Sequence, residues 1–196
     1  MQNEIKSKEV ILGLDISSRN VGVSVFGKEA GELLDLFAVV LPKQTITEYK
    51  DMFEKIEYFS NEICNRFKNQ NWIPVEVRVE ANAKAFSGGA TTAQTMFVLA
   101  KMNALVVYWF WQRYPKATIK EIQVSTARKK IGFKQSKTTG KKIKEQVFDF
   151  VIANYSKTIE SFLPTKILKS GPNKGAKVYD EHAKDMVDAF VIGKGV

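Results

Sequence analysis

The stretch Val10-Ile11-Leu12-Gly13-Leu14-Asp15-Ile16-Ser17-Ser18-Arg19-Asn20-Val21-Gly22-Val23-Ser24-Val25 reads as two strands joined by a turn. Val10, Ile11, Leu12 and Leu14 make a short apolar run that stops at Asp15, the pattern of a buried strand with a polar tip. Ser17 to Asn20 supply a hairpin-sized turn, after which Val21, Val23 and Val25 alternate with small residues. Leu33 to Leu41 is a third strand, entered through the Gly27 to Gly31 turn and closed by Pro42. Three strands so spaced can pair as a meander.

Downstream the period changes. Between Thr47 and Phe67, apolar Tyr49, Met52, Phe53, Ile56, Phe59, Ile63 and Phe67 fall three and four apart, which predicts an amphipathic helix. Val75, Val77 and Val79 then alternate with Glu76, Arg78 and Glu80, a fourth strand that again ends in a carboxylate. After a Ser87-Gly88-Gly89 loop, Thr91 to Tyr114 reads as a long helix stopped by Pro115. Its run Leu105 to Trp111 is apolar on nearly every side, so it must be covered on more than one face, within the monomer or by a second subunit. Ala117 to Val124 is a fifth strand. Gly140 to Tyr155 is a helix with Ile143, Val147, Phe150 and Val151 inward, Ser156 to Tyr179 an irregular basic stretch, and Asp180 to Gly193 a last helix with Asp180 as N-cap. This order predicts an α/β fold, a five-stranded mixed sheet flanked by helices. With neither repeat nor boundary in view, residues 1–196 are expected to be a single domain.

Composition narrows the function. Apolar residues at 44% and charged residues at 26% exclude a disordered, collagenous or coiled-coil chain. Thirty Lys and Arg against 21 Asp and Glu leave a net charge of +9, which favours a polyanionic partner, nucleic acid before membrane. Cys64 is the only cysteine, so neither an internal disulfide nor a Cys-based zinc site is available, and a reducing intracellular compartment is the default expectation. Met1 to Glu9 has no apolar stretch of signal-peptide type. The longest apolar run, Ala104 to Trp111, falls short of the roughly 20 residues of a membrane span.

Four acids stand out by position. Asp15 and Glu80 end strands, and Asp185 and Asp188 lie three apart on the last helix, on neighbouring parts of one face. Carboxylates gathered in this way cost desolvation and mutual repulsion unless a cation offsets them. An all-oxygen set suits Mg²⁺ or Mn²⁺, and two such ions roughly 4 Å apart can activate water and stabilise the leaving oxygen in phosphodiester hydrolysis. Asp35 and Glu76 read as ordinary strand acids.

The segment from Asp15 to Gly22, following Val10 to Leu14, resembles the Asp-Pro-Gly-Ser-Arg-x-x-Gly opening of RuvC-type Holliday junction resolvases. Arg78-Val79-Glu80 resembles that family's second catalytic strand, and Asp185-Met186-Val187-Asp188-Ala189-Phe190 its closing Asp-x-x-Asp-Ala-aliphatic helix. Lys184-Asp185 is also similar to the mitochondrial and poxviral resolvases. The resemblance spans almost the whole chain and implies a ribonuclease H-like fold. It makes Asp15, Glu80, Asp185 and Asp188 the catalytic, metal-binding quartet for two Mg²⁺ or Mn²⁺ ions per active site. Ile16 and Ser17 replace the family's proline and glycine, so that turn is expected to differ in shape. His182, one turn before Asp185, is a weaker metal candidate.

The expected DNA-facing residues are Arg19, Phe86, Arg128, Lys129, Lys130, Lys134, Lys137, Lys141, Lys142, Lys144 and Lys174. From Arg128 to Lys144 the charges are all positive, a phosphate-binding signature. Ser136, Thr138, Thr139 and Gly140 add donors there, and Lys166, Lys169, Lys174 and Lys177 extend the basic surface. By the resemblance, Phe86 is an apolar wedge for an open junction. The expected function is a homodimeric endonuclease that cuts Holliday junctions or branched DNA in recombination or repair, with two sites for two nicks. The alternatives are a ribonuclease H acting on RNA·DNA hybrids and a non-catalytic branched-DNA-binding module. An actin-like kinase or ATPase needs two lobes, for which 196 residues leave too little room.

Overall fold

The structure is a computed structural model and describes residues 7–81, 93–138 and 140–195. Strand β1 (Lys8–Ile16) pairs antiparallel with β2 (Asn20–Gly27), which pairs antiparallel with β3 (Leu33–Val40). Helix α1 (Tyr49–Gln70) leads to β4 (Trp72–Glu80), and α2 (Ala93–Arg113) leads to β5 (Thr118–Ile122). Both β4 and β5 run parallel to their neighbours, so the sheet has the order β3-β2-β1-β4-β5 and is mixed, as the element order predicts. Helices α3 (Val124–Lys130), α4 (Ile143–Ile159) and α5 (Ala183–Lys194) complete the fold, with a hairpin of β6 (Thr165–Ile167) and β7 (Lys177–Tyr179) ahead of α5.

Strand alternation sends side chains to two separate cores. Leu12, Leu14, Val23 and Val77 join Phe59, Ile63, Val106 and Phe110 of α1 and α2 on one face. On the other face, Phe26 and Leu36 pack with Val147, Val151, Val187 and Phe190 from α4 and α5. Where α5 crosses closest to β1 and β2, the residues beneath it are Gly13, Gly22 and Ser24. A Cβ at Gly22 would run into the Asp185 backbone, and one at Gly13 into Gly193 and Ala189, so only glycine lets the helix lie this close to the strands. The buried Ser24 hydroxyl donates to the Ala189 carbonyl at 2.8 Å and fixes the helix there.

Several local expectations are corrected. Val124 opens α3 rather than closing β5, and Gln123 has the extended backbone of its N-cap. The stretch Ser156 to Tyr179 is not irregular: α4 runs on to Ile159, and β6 and β7 pair from Thr165 opposite Tyr179 to Ile167 opposite Lys177. The N-cap of α5 is His182, while Asp180 accepts a hydrogen bond from the His182 amide at 3.1 Å. Ile143 is exposed because it is the first residue of α4. The acids read as ordinary are paired: Asp35 with Arg66 at 2.6 Å, and Glu76 with Arg78 at 2.5 Å and Lys120 at 2.7 Å. Among the described residues no helix is long and apolar enough to cross a membrane.

Candidate active site

Asp15 follows Gly13 by two residues and Glu80 follows Arg78 by two, so both acids share the face on which α5 packs. Leu14 lies beside Val79 in the parallel β1–β4 pair, which places Asp15 and Glu80 side by side at the carboxyl ends of their strands. Helix α5 presents Asp185 in its first turn and Asp188 one turn later. Carboxylate oxygens of Asp15, Asp185 and Asp188 all lie within 4.8 Å of one another. Glu80 stands beside Asp15 at the end of β4 and lines the same cleft.

A lysine balances this charge. Lys144 Nζ, from the first turn of α4, lies 2.6 Å from Asp185, 3.0 Å from Asp188 and 3.9 Å from Asp15. Arg128 of α3 approaches Asp188 from another side at 3.8 Å, and its Nε is buried with no hydrogen-bond partner among the described residues. Asp188 is 5% exposed, so its negative charge is offset by these two cations rather than by water, against the repulsion of Asp185.

The titration behaviour follows from this crowding. Burial, then Asp188, lifts the Asp15 carboxyl well above the usual range, with Lys144 working the other way. Burial and Asp188 also lift Glu80, against Arg128 and Lys144. Asp188 is raised by burial despite Lys144 and Arg128. For Lys144, burial disfavours the ammonium, but Asp188, Asp15 and Asp185 together outweigh it and hold the pKa above the ordinary lysine value. Buried carboxylates that resist ionisation even with a lysine among them form a site whose charge is incompletely balanced. The donor set is all oxygen, which fits a hard divalent cation such as Mg²⁺ or Mn²⁺ rather than zinc.

The cluster opens into a cleft of about 490 Å³. Asp15, Glu80, Lys144 and Asp185 form its polar wall, and Met96, Phe97, Leu99 and Ala100 of α2 its apolar one. Asn103 of α2 donates to the Glu80 carbonyl at 3.0 Å, tying the helix to the end of β4.

The fold has solved counterparts. Two structures of RuvC from Thermus thermophilus align over 95% of this chain. One, in complex with a Holliday junction substrate, has a TM-score of 0.56 at 16% identity over 91% of its own length. The other has 0.52 at 18% over 92%. The yeast mitochondrial Holliday junction resolvase Ydc2 aligns over 98% of this chain and 79% of its own, with a TM-score of 0.59 at 13% identity. The chain has the fold of the RuvC-type resolvases. No family model matches the sequence, and no curated protein matches it, so the RuvC-like likeness lies in the fold.

Within this RuvC-like fold the remaining expected residues fall into distinct places. His182 does not join the quartet; it groups with Asp180 and Glu181, 3.9 and 4.0 Å away. Lys129, Lys130, Lys134, Lys137 and Lys142 are exposed, as are Arg19 and Lys174. Lys141 is held by Asp149 at 2.7 Å. Arg128 and Lys144, expected on the DNA-facing surface, contact carboxylates of the cluster. The Ser136 and Thr138 hydroxyls bond each other at 2.9 Å, and Gln146 braces this loop through the Ser136 amide at 2.9 Å. Phe86 and Thr139 lie outside the described residues. Asn20 and Asn103 are not legible as site residues, since an asparagine in a turn or inside a helix carries no spacing signal.

Proposed function

We propose that this chain is a metal-dependent, structure-selective endonuclease that resolves Holliday junctions or related branched DNA as a homodimer, with residues 1–196 forming one nuclease domain. The observation that carries this reading is the gathering of Asp15, Asp185 and Asp188 from β1 and α5 around Lys144, with Glu80 of β4 beside Asp15 in the same cleft. The quartet would hold Mg²⁺ or Mn²⁺, two ions per site. When bound, such ions supply the Lewis acidity that activates water and stabilises the leaving oxygen.

The chain's own residues set the conditions for that chemistry. Asp188 is buried and Asp15 and Glu80 are half-buried, so their charges act on cations with less screening by water. Lys144 is the cation that offsets the carboxylates before metal and DNA arrive, and is then positioned to meet the scissile phosphate. The exposed lysines of α3 and the following loop, with Lys169, Lys174 and Lys177 on the β6–β7 hairpin, would hold the flanking phosphates. Phe97, Tyr108 and Trp111 are apolar and exposed on α2, the helix offered as the dimer element.

The test is a substrate panel. A four-way junction, a linear duplex and an RNA·DNA hybrid are each incubated with Mg²⁺ or with EDTA. Junction cleavage only with Mg²⁺ is expected. Cleavage confined to the hybrid would make the chain a ribonuclease H, and inactivity on all three a binding module.

A further inference from the structure

The turn that departs from the resolvase pattern does something in this structure that the quartet does not explain. Asn20 is 8% exposed, and its side-chain amide donates through Nδ2 to Asp185 Oδ2 across a sequence separation of 165 residues. The other oxygen of Asp185, Oδ1, accepts from Lys144 at 2.6 Å. The two oxygens therefore have different partners: one a neutral amide on β2, the other the cation inside the cluster.

Ser17 fixes the amide. Its hydroxyl lies 2.8 Å from the Asn20 backbone carbonyl and 3.0 Å from Asn20 Oδ1, and it accepts from the backbone N–H groups of Asn20 at 3.0 Å and Arg19 at 3.2 Å. A backbone bond from Ser17 N to Asn20 O at 3.0 Å closes the same turn. With Oδ1 facing the hydroxyl donor, Nδ2 is left for Asp185, and the flipped amide would set an oxygen against a carboxylate that can only accept. Proline at position 16 and glycine at 17 would provide no such hydroxyl.

We propose that Asn20, locked by Ser17, is the positioning residue for Asp185, holding Oδ2 so that Oδ1 is committed to the cation site. This rests on the reading of the quartet as a metal site. A neutral amide suits the task because it orients a carboxylate without adding a positive charge that would compete with the metal. Outer partners of this kind typically set metal affinity by about 10–100-fold.

The test is calorimetric titration of the DNA-free protein with Mn²⁺, for wild type, Asn20→Ala, Ser17→Ala and Ser17→Thr, alongside kcat and KM for junction cleavage. Asn20→Ala is expected to weaken Mn²⁺ binding by about 10–100-fold. Ser17→Ala should move in the same direction by less, and Ser17→Thr, which keeps the hydroxyl, should bind like wild type. The KM for DNA should stay level while kcat at subsaturating Mn²⁺ falls. Mn²⁺ affinity in Asn20→Ala and Ser17→Ala within about twofold of wild type, against the 10–100-fold expected, would overturn the proposal and leave the nuclease reading standing. Wild-type protein that binds no Mn²⁺ would overturn both. If Asn20→Ala does not fold, Ser17→Ala, which leaves the Asn20 volume in place, decides by the same criterion.

Discussion

Lys144 Nζ lies 3.0 Å from Asp188 Oδ2, a bond between the first turn of α4 and the middle of α5 that sets a cation among the site's carboxylates. A lysine in that place has two consequences: it stabilises the protein without metal, and it occupies the space towards which hard cations are drawn.

Lys144→Met is therefore expected to destabilise the metal-free protein on the order of 1 kcal/mol, less than for a fully buried pair because the ammonium is partly in solvent. Added Mn²⁺ should raise the Tm of the variant more than that of wild type, while junction cleavage falls. Thermal melts with and without Mn²⁺ measure both shifts.

Asp15→Asn should have the opposite effect on stability. The folded protein holds the Asp15 proton more tightly than the unfolded chain does, so stability contributed by this group is lost as pH rises through the folded pKa. At pH 7 without metal, the amide removes that penalty, and Tm should rise by about 2–4 °C for each kcal/mol relieved. The gap between variant and wild type should close as pH falls towards the ordinary carboxylate range, where the wild-type cluster takes up protons. Melts in EDTA across that range test the sign.

Replacing Lys129, Lys130 and Lys134 together with alanine should weaken junction binding at low salt and flatten its salt dependence. For every phosphate that the variant no longer neutralises, the slope of log K against log[salt] becomes shallower by about 0.9. Binding titrations in EDTA at several salt concentrations measure the slope, and an unchanged value would remove this surface from the DNA interface.

Trp111 and Tyr108 stack at 5.9 Å on the outer face of α2, with Trp111 59% exposed. Trp111→Glu is expected to convert a dimer into a monomer at micromolar concentration in sedimentation. A wild-type monomer under those conditions would count against α2 as a subunit interface.

The parts of this fold readable in the sequence are those where one period persists. Asp15 and Glu80 are legible because apolar strand runs stop at each, and Asp185 and Asp188 because three-residue spacing shares a helix face. Alternation also marks Gly22 and Ser24 as small neighbours of Val21, Val23 and Val25, although that they seat α5 emerges only from the packing. Helix α3 is hidden because Val124 and Thr126 continue the β-branched character of Thr118, Ile119 and Ile122 in β5. The β6–β7 hairpin is hidden because its strands are three residues each. Lys144 is legible as a cation but not as the partner of three acids, since its direction depends on how α4 meets α5. Asn20 reads as a turn residue, and its reach to Asp185 requires the tertiary fold.

The most direct measurement of the central claim pairs binding with cleavage on one four-way junction, comparing wild type with Asp15→Asn and Glu80→Gln. Wild type should bind the junction in EDTA and nick it when Mg²⁺ is added, while both variants bind as tightly and do not cut. Undiminished nicking by the variants, or a wild type that binds and never cuts with Mg²⁺ or Mn²⁺, would contradict the assignment of these carboxylates to catalysis.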